Sequence, residues 1–597
     1  MSTLASWLFR VLASVVCLAL LVPVAAGRSP SQTRLDFLMF GDPRIELPPD
    51  DYRFREGTLA LWLAALESPE GDLRQQAQRT FAWAHEQGMT GIQAAIEPLT
   101  QNLVGHERLV VRLTAAQALV AIDARQAAQA LFDRAQTDGL DMAQLVEPAL
   151  GRWEFSPLID IWRGRLADER TSRQRRLLAI RGLGDLRDDA AAEDLLRIAD
   201  AASQPADLRL AAATALGRIR RSGLEAASRR LFSRQPPTSL ADRLVAVRLL
   251  RSHDSPEAQS LLVEMADDEE HAVVAGALER LLELDPPRIV PLAEPALAQR
   301  DVNVRRLVAR ALFACPSADN IRLLAGLLAD PNPSLRDDVR KFLEQLAQSA
   351  DWRSDVVGQA ERLLSDTRWT ALEQCVVLLA TLGVDATSER MVELLSHPRP
   401  EVYVAAAWGL RRLGAERMLA SVLETARQRN ENRAELLLGE AGQPDVDQQL
   451  AHLFEFFGQK KYQAAEGLLR EFIEKDMTIP YARSAAIWAL GLLHEDQPQA
   501  ELVQALRQRL EDTNLPLPEH YWVRRFSAIT LGRMKAAAAL PTLEMFNEPR
   551  GSQTTIGYAC AWSIERITGR PMPPPATPVK YRSGFFLEPH PDAQGPP

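Results

Sequence analysis

Residues 111–122 read VRLTAAQALVAI, with apolar positions at Val111, Ala115, Ala118, Leu119 and Ile122. Steps of four, three, one and three line one face of an α-helix. With Leu119 as the anchor, comparable segments recur with anchors at Phe81, Leu150, Leu183, Leu216, Leu250, Leu278, Leu312, Leu343, Leu379, Leu410, Leu490, Leu531 and Ile564. The steps run from 28 to 41 residues except for the 80 between Leu410 and Leu490, which hide one or two degenerate units. A period of this length marks a repeat array, in which no unit buries its apolar face alone and each stacks on its neighbours.

Seven residues before the anchor the side chain is Arg in nine of the fourteen units, among them Arg112, Arg209, Arg243, Arg336 and Arg483. Several have an Asp shortly upstream, as with Asp72, Asp207, Asp242 and Asp301. An Asp at a helix start suits the positive end of the dipole, while the Arg is placed to reach an acid or carbonyl of the neighbouring unit. The pair reads as a stacking ladder. A second amphipathic helix follows most anchors, as in IRLLAGLLAD at 321–330 and ERMVELLSH at 389–397, with Pro and Asp at joints such as DPNPSLR at 330–336.

The segments LRLAAATAL at 208–216 and VRRLVARAL at 304–312 resemble HEAT repeats, in particular the short HEAT-like class first noted in phycobilisome lyases. The resemblance covers roughly residues 58 to 568. It implies an all-α, right-handed α-solenoid of about fifteen HEAT-like helical pairs, an armadillo-type superhelix, with a Pro-rich C-terminal tail. It is specific for fold and uninformative for function. Residues 416–477 lack the Arg and Ala-Leu signature and look more like a tetratricopeptide-type pair, which divides the array into residues 58–415, 416–477 and 478–568.

The flanks read differently. Residues 11–27 are uncharged, follow Arg10 and end in small residues, so residues 1–27 read as a signal peptide, or as an N-terminal membrane anchor if left uncleaved. Residues 28–57, with DFLMFGDPRIELPPDDYRF at 36–54, read as a linker. Residues 569–597 form a Pro-rich tail too poor in apolar residues for a core; its apolar island KYRSGFFLEP at 580–589 is expected to fold back on the last repeat, the alternative being that it docks a partner. Export places the protein in the periplasm or cell envelope.

The 597 residues are 46% hydrophobic and 25% charged, which excludes wholesale disorder and a multi-spanning membrane protein. A net charge of −10 argues against nucleic acid as a partner. The nine histidines stand at least eighteen residues apart, and no zinc, haem or nucleophile-elbow motif is present. Neither a metal, a cofactor nor a catalytic residue is assigned, and the three cysteines beyond the leader, Cys315, Cys375 and Cys560, read as small hydrophobes.

One column differs. Two residues before each anchor the side chain projects opposite the buried helix face. This column reads Arg79, Gln117, Arg181, Thr214, Arg248, Arg310 and Lys341, then Trp408, Trp488, Ile529 and Trp562. On an inner surface it makes a wall that is cationic early and aromatic late, and Arg and Trp are enriched at binding hot spots. The plainer account is that each Trp fills a gap between alanines and the arginines solvate a face. Trp408, Trp488, Trp562, Arg79, Arg181, Arg248 and Arg310 are therefore the candidate partner-binding residues of a non-catalytic scaffold or adaptor for a protein or peptide. An enzyme subunit gripping a small molecule between repeats is the alternative.

Overall fold

The computed structural model describes residues 35–45, 51–234, 239–432, 443–547, 555–571, 579–582 and 587–589. The chain is an all-α solenoid of HEAT-like helical pairs. The pair begun by VRLTAAQALVAI shows how a unit closes. The helix Leu109–Ala121 ends at Asp123, held at φ 54, and the Ala124 N–H returns to the Leu119 carbonyl at 2.9 Å. The same closure runs from Val384 to Leu379 beside Gly383, and from Ala536 to Leu531 beside Lys535. A left-handed residue with a six-to-one bond is the Schellman solution to orphaned helix carbonyls. The anchor leucine thus supplies both the buried side chain and the carbonyl that turns the chain into a short 3₁₀ turn and the second helix.

From Gly71–Glu86 to His271–Leu284, and again from Pro333–Leu346 to Thr555–Thr568, the anchor-bearing helices stack directly on one another, while the second helices form a looser layer. Small residues set the close spacing. A Cβ built on Gly217, in the helix Ala206–Ile219, would lie 2.2 Å from the Arg248 carbonyl oxygen of the next anchor helix. Gly217→Ala forces the two helices apart and is expected to cost about 1–3 kcal/mol. Gly164→Ala meets nothing within 4 Å and is expected to stabilise the chain by about 0.5–1 kcal/mol. Denaturant unfolding of the two variants checks the contrast.

The arginine ladder joins consecutive units. Arg209 and Asp242 form a buried ion pair across the joint, and Arg209 Nε donates to the Ala199 carbonyl at 3.0 Å. Arg243 meets Asp268 at 2.8 Å, and Arg336 donates to the Asp330 carbonyl at 2.8 Å. Arg483 and Glu519, both fully buried, make a two-pronged pair at 2.7 and 2.8 Å. Cys375 and Cys560 are buried and carry no disulfide, and burial pushes both thiols up.

The chain divides into two compact units. The N-lobe comprises Asp50–Ala311 with Val579–Pro597, and the C-lobe comprises Leu312–Pro578 with Met1–Pro49. In the N-lobe the expected linker and tail meet: strand β1 (Asp51–Arg53) pairs in parallel with strand β2 (Val579–Tyr581). The tail therefore folds back on the first repeat rather than the last. The Leu587 carbonyl accepts the Trp62 indole N–H at 2.9 Å, and Arg582 donates to Gln87. The physical reason is complementarity, since Arg582 lies over the rings of Tyr52 and Phe54.

In the C-lobe, residues 416–477 do not interrupt the array. The helix Gln443–Gln459 stacks between Pro400–Leu413 and Pro480–Leu493 as an ordinary member of the anchor layer. Its signature is missing because Phe454, Phe456 and Phe457 fill the layer where other units use alanines and leucine. Among the described residues the 80-residue step thus holds one further anchor helix. The leader residues 1–27, and with them the anchorage reading, lie outside the described residues; no helix among the described residues is long and apolar enough to cross a membrane.

Candidate functional site

Two surfaces arise from the anchor layer, one in each lobe. In the C-lobe the helices Pro400–Leu413, Gln443–Gln459, Pro480–Leu493 and Tyr521–Arg533 lie side by side. Their exposed column would carry Trp408 and Trp488. Both are buried, at 6% and 1% exposure, because residues 35–45 of the same chain lie across them. The aromatic wall is therefore covered by an internal peptide rather than open. Trp488 also fills the space above Gly458, so the gap-filling account holds for part of its ring.

The seated segment is read at two acidic residues. The Asp36 carboxylate accepts the Trp408 indole N–H at 2.8 Å, and Arg411 donates to the Asp36 carbonyl at 2.8 Å. Burial opposes ionisation of Asp36, but the Trp408 N–H and Arg411 outweigh it and hold the carboxyl below its usual range. Six residues on, Asp42 repeats the arrangement. Its carboxylate accepts the Trp488 indole N–H at 3.0 Å and a guanidinium N–H of Arg533 at 2.6 Å. Two indole and guanidinium clamps thus grip carboxylates from alternate anchor helices.

Between the clamps the contacts are largely aromatic, with Met39 buried and Phe37 and Phe40 half-buried. Phe37 is sandwiched between the His452 and Tyr481 rings, with centroids at 4.5 and 5.2 Å. Phe40 packs on Trp522 at 4.5 Å and on Phe526 at 6.0 Å. Met39 is fully buried, and its N–H donates to Glu455 at 2.8 Å. Glu455 is buried too; burial pushes its carboxyl up to about 7, against the pull of Arg411 at 2.9 Å. Tyr481 is placed by Asp447, whose buried carboxylate accepts the N–H groups of Tyr481 and Ala482 and so caps the helix Pro480–Leu493 from its neighbour.

In the N-lobe the column stays open and cationic. Arg248 and Arg310 line a cavity of about 840 Å³ with Thr214, Gly276 and Arg251. Arg181 joins Arg248 in an adjoining cavity of about 550 Å³. Partial burial, then the charge of Arg251, pulls the Arg248 guanidinium below its ordinary value. Among the described residues, Arg181, Arg248, Arg251 and Arg310 make no ion pair, unlike the ladder arginines one face away.

Of the seven residues singled out in the sequence, Trp408 and Trp488 converge on one bound segment, and Arg181, Arg248 and Arg310 share one open face. Arg79 is exposed on the helix Gly71–Glu86 and Trp562 is half-buried on Thr555–Thr568; neither belongs to these two groups. Pattern reading missed Arg411, His452, Tyr481, Trp522 and Arg533, which lie off the column, and Glu455, which stands two residues before Phe457, the anchor of the helix Gln443–Gln459. The signal for the occupant was in DFLMFGD, where two acids bracket four large apolar side chains. Among the described residues no group of His, Cys, Asp and Glu is placed to hold a metal ion.

No known family profile matches the chain, and no curated protein matches it in sequence. Solved structures do match. Kap95p, from a study of its binding to RanGDP, is 14% identical with a TM-score of 0.51, the alignment covering 86% of this chain and 72% of that one. Importin beta gives 14% identity and a TM-score of 0.48 over 85% and 72%, and Kap121p bound to Pho4p gives 13% and 0.48 over 86% and 57%. At such identity, the likeness to Kap95p bears on the helical-repeat fold alone.

Proposed function

We propose that the protein is a non-catalytic scaffold or adaptor that holds extended protein segments along its anchor-helix layer. The observation that carries this reading is residues 35–45 seated across Trp408 and Trp488. A surface that buries Met39, stacks Phe37 and satisfies two aspartates has the chemistry of a peptide receptor, and Trp and Arg are the residues such hot spots favour. Kap95p, from a study of its binding to RanGDP, shares the fold, so an array of this kind is suited to protein partners. Export to the periplasm or cell envelope, anchorage by an uncleaved leader and descent from the short phycobilisome-lyase-type repeat belong to the same proposal and rest on sequence.

The test is a titration in trans. A labelled peptide of sequence LDFLMFGDPRI is expected to bind the full chain carrying Phe37→Ala and Phe40→Ala. It should bind native chain at least about tenfold more weakly, because the covalently attached segment competes at an effective concentration in the millimolar range. Adding Trp488→Ala to the double variant should abolish binding. Failure of the peptide to bind the folded double variant contradicts the proposal.

A further inference from the structure

The occupied groove of the C-lobe supplies a ruler. Trp408 and Trp488 stand two anchor helices apart, with Gln443–Gln459 between them, and the carboxylates they bind are those of Asp36 and Asp42, six residues apart. Helices in contact lie ~8–10 Å apart, so two steps span ~16–20 Å. In the seated segment the six-residue step includes a 3₁₀ turn, Leu38–Gly41; a fully extended chain rising ~3.3 Å per residue covers the same distance in five to six residues.

The N-lobe repeats this spacing with cationic side chains. Arg181, Arg248 and Arg310 sit at the same column position on Arg173–Leu186, Leu240–Leu249 and Val302–Ala314, again on alternate anchor helices. The helices between them present Thr214 and Gly276, so the floor between successive guanidinium groups is short-chained and open. Uncompensated positive charge in a cleft focuses the field on an incoming anion. Of the acids on the rim, Asp185, Asp207 and Glu283 are paired with Arg218, Arg173 and Arg280, which leaves Glu279 and Asp301 to disfavour a continuous polyanion such as nucleic acid. They tolerate a chain whose acidic residues are spaced apart.

We infer that the Arg181, Arg248 and Arg310 column is a second recognition site, for an extended acidic protein segment whose carboxylates recur every six residues. The spacing rests on reading the C-lobe as a peptide groove, whereas the charge complementarity does not.

Two labelled peptides of about thirteen residues and identical composition serve as probes on the native full chain. One carries Glu at its first, seventh and last positions, and the other carries the three acids consecutively. The spaced peptide is expected to bind at least about tenfold more tightly, with an affinity that falls steeply with added salt. Arg248→Glu should abolish its binding. Arg310→Glu, at an equally exposed position, should do the same, so that misfolding of one variant does not decide the matter. Equal binding of the two peptides overturns the ruler, and binding of neither, or binding indifferent to both charge reversals, overturns the site. The LDFLMFGDPRI titration fails or succeeds on its own, so a chain that takes that peptide and neither acidic one keeps the C-lobe groove and loses the arginine column.

Discussion

Trp488→Ala is expected to lower the stability of the C-lobe by about 3–5 kcal/mol and to release residues 35–45 from it. Two losses combine. Removing a large ring that is 1% exposed opens a cavity beside Gly458, and the relaxed lobe recovers only part of the lost contact. The Asp42 carboxylate also loses its indole donor at 3.0 Å and keeps only Arg533, so the seated segment loses one of its two clamps. Denaturant unfolding measures the first effect, and proteolysis within residues 35–45 the second. Trp488→Phe retains most of the volume but no N–H, and is expected to keep most of the stability while accelerating the proteolysis. A variant that loses stability while the segment stays as protected as before would show that the clamp is not what holds it.

Breaking the Arg483 and Glu519 pair by one side alone should be as damaging. Both side chains are fully buried, and Arg483 also donates to the Phe472 and Ile473 carbonyls. Arg483→Ala strands a buried carboxylate and is expected to cost about 3–5 kcal/mol. Replacing both members with apolar residues of similar volume, Arg483→Met with Glu519→Leu, removes the stranded charge and should recover most of that loss. Unfolding of the two single variants and the double variant in one cycle gives the comparison. A double variant as unstable as the sum of the singles would mean that the ladder is held by its carbonyl bonds rather than by the ion pair.

The architecture was legible because its cause is local. An i, i+4, i+7, i+8 and i+11 pattern repeated every thirty-odd residues fixes helices, and Arg209, Arg243 and Arg483 find their acids in the next unit whatever the long-range arrangement. Gln443–Gln459 escaped the pattern because phenylalanines there do the packing that Ala and Leu do elsewhere, which changes the letters without changing the volume filled. The binding surfaces were half legible. The column rule placed Trp408, Trp488, Arg248 and Arg310 on exposed faces, since helix geometry alone decides that. It could not say what would cover the tryptophans, because the occupant arrives from a segment hundreds of residues distant and without helical period. Arg411 and Arg533 were missed because they stand after their anchors, Arg411 at the position that holds Gly217 in the Leu216 unit and Arg533 one residue further on. The tail was misplaced for a related reason, its partner being the first repeat rather than its sequence neighbour.

The central claim is that the C-lobe's anchor layer grips a peptide segment, here one with a 3₁₀ turn at Leu38–Gly41, and hydrogen exchange over residues 35–45 of the native full chain tests it most directly. The Met39 amide, buried and donated to Glu455, and its neighbours are predicted to exchange orders of magnitude more slowly than an unstructured chain, with the protection lost in Trp488→Ala. Exchange at the unstructured rate in the native protein would contradict the account.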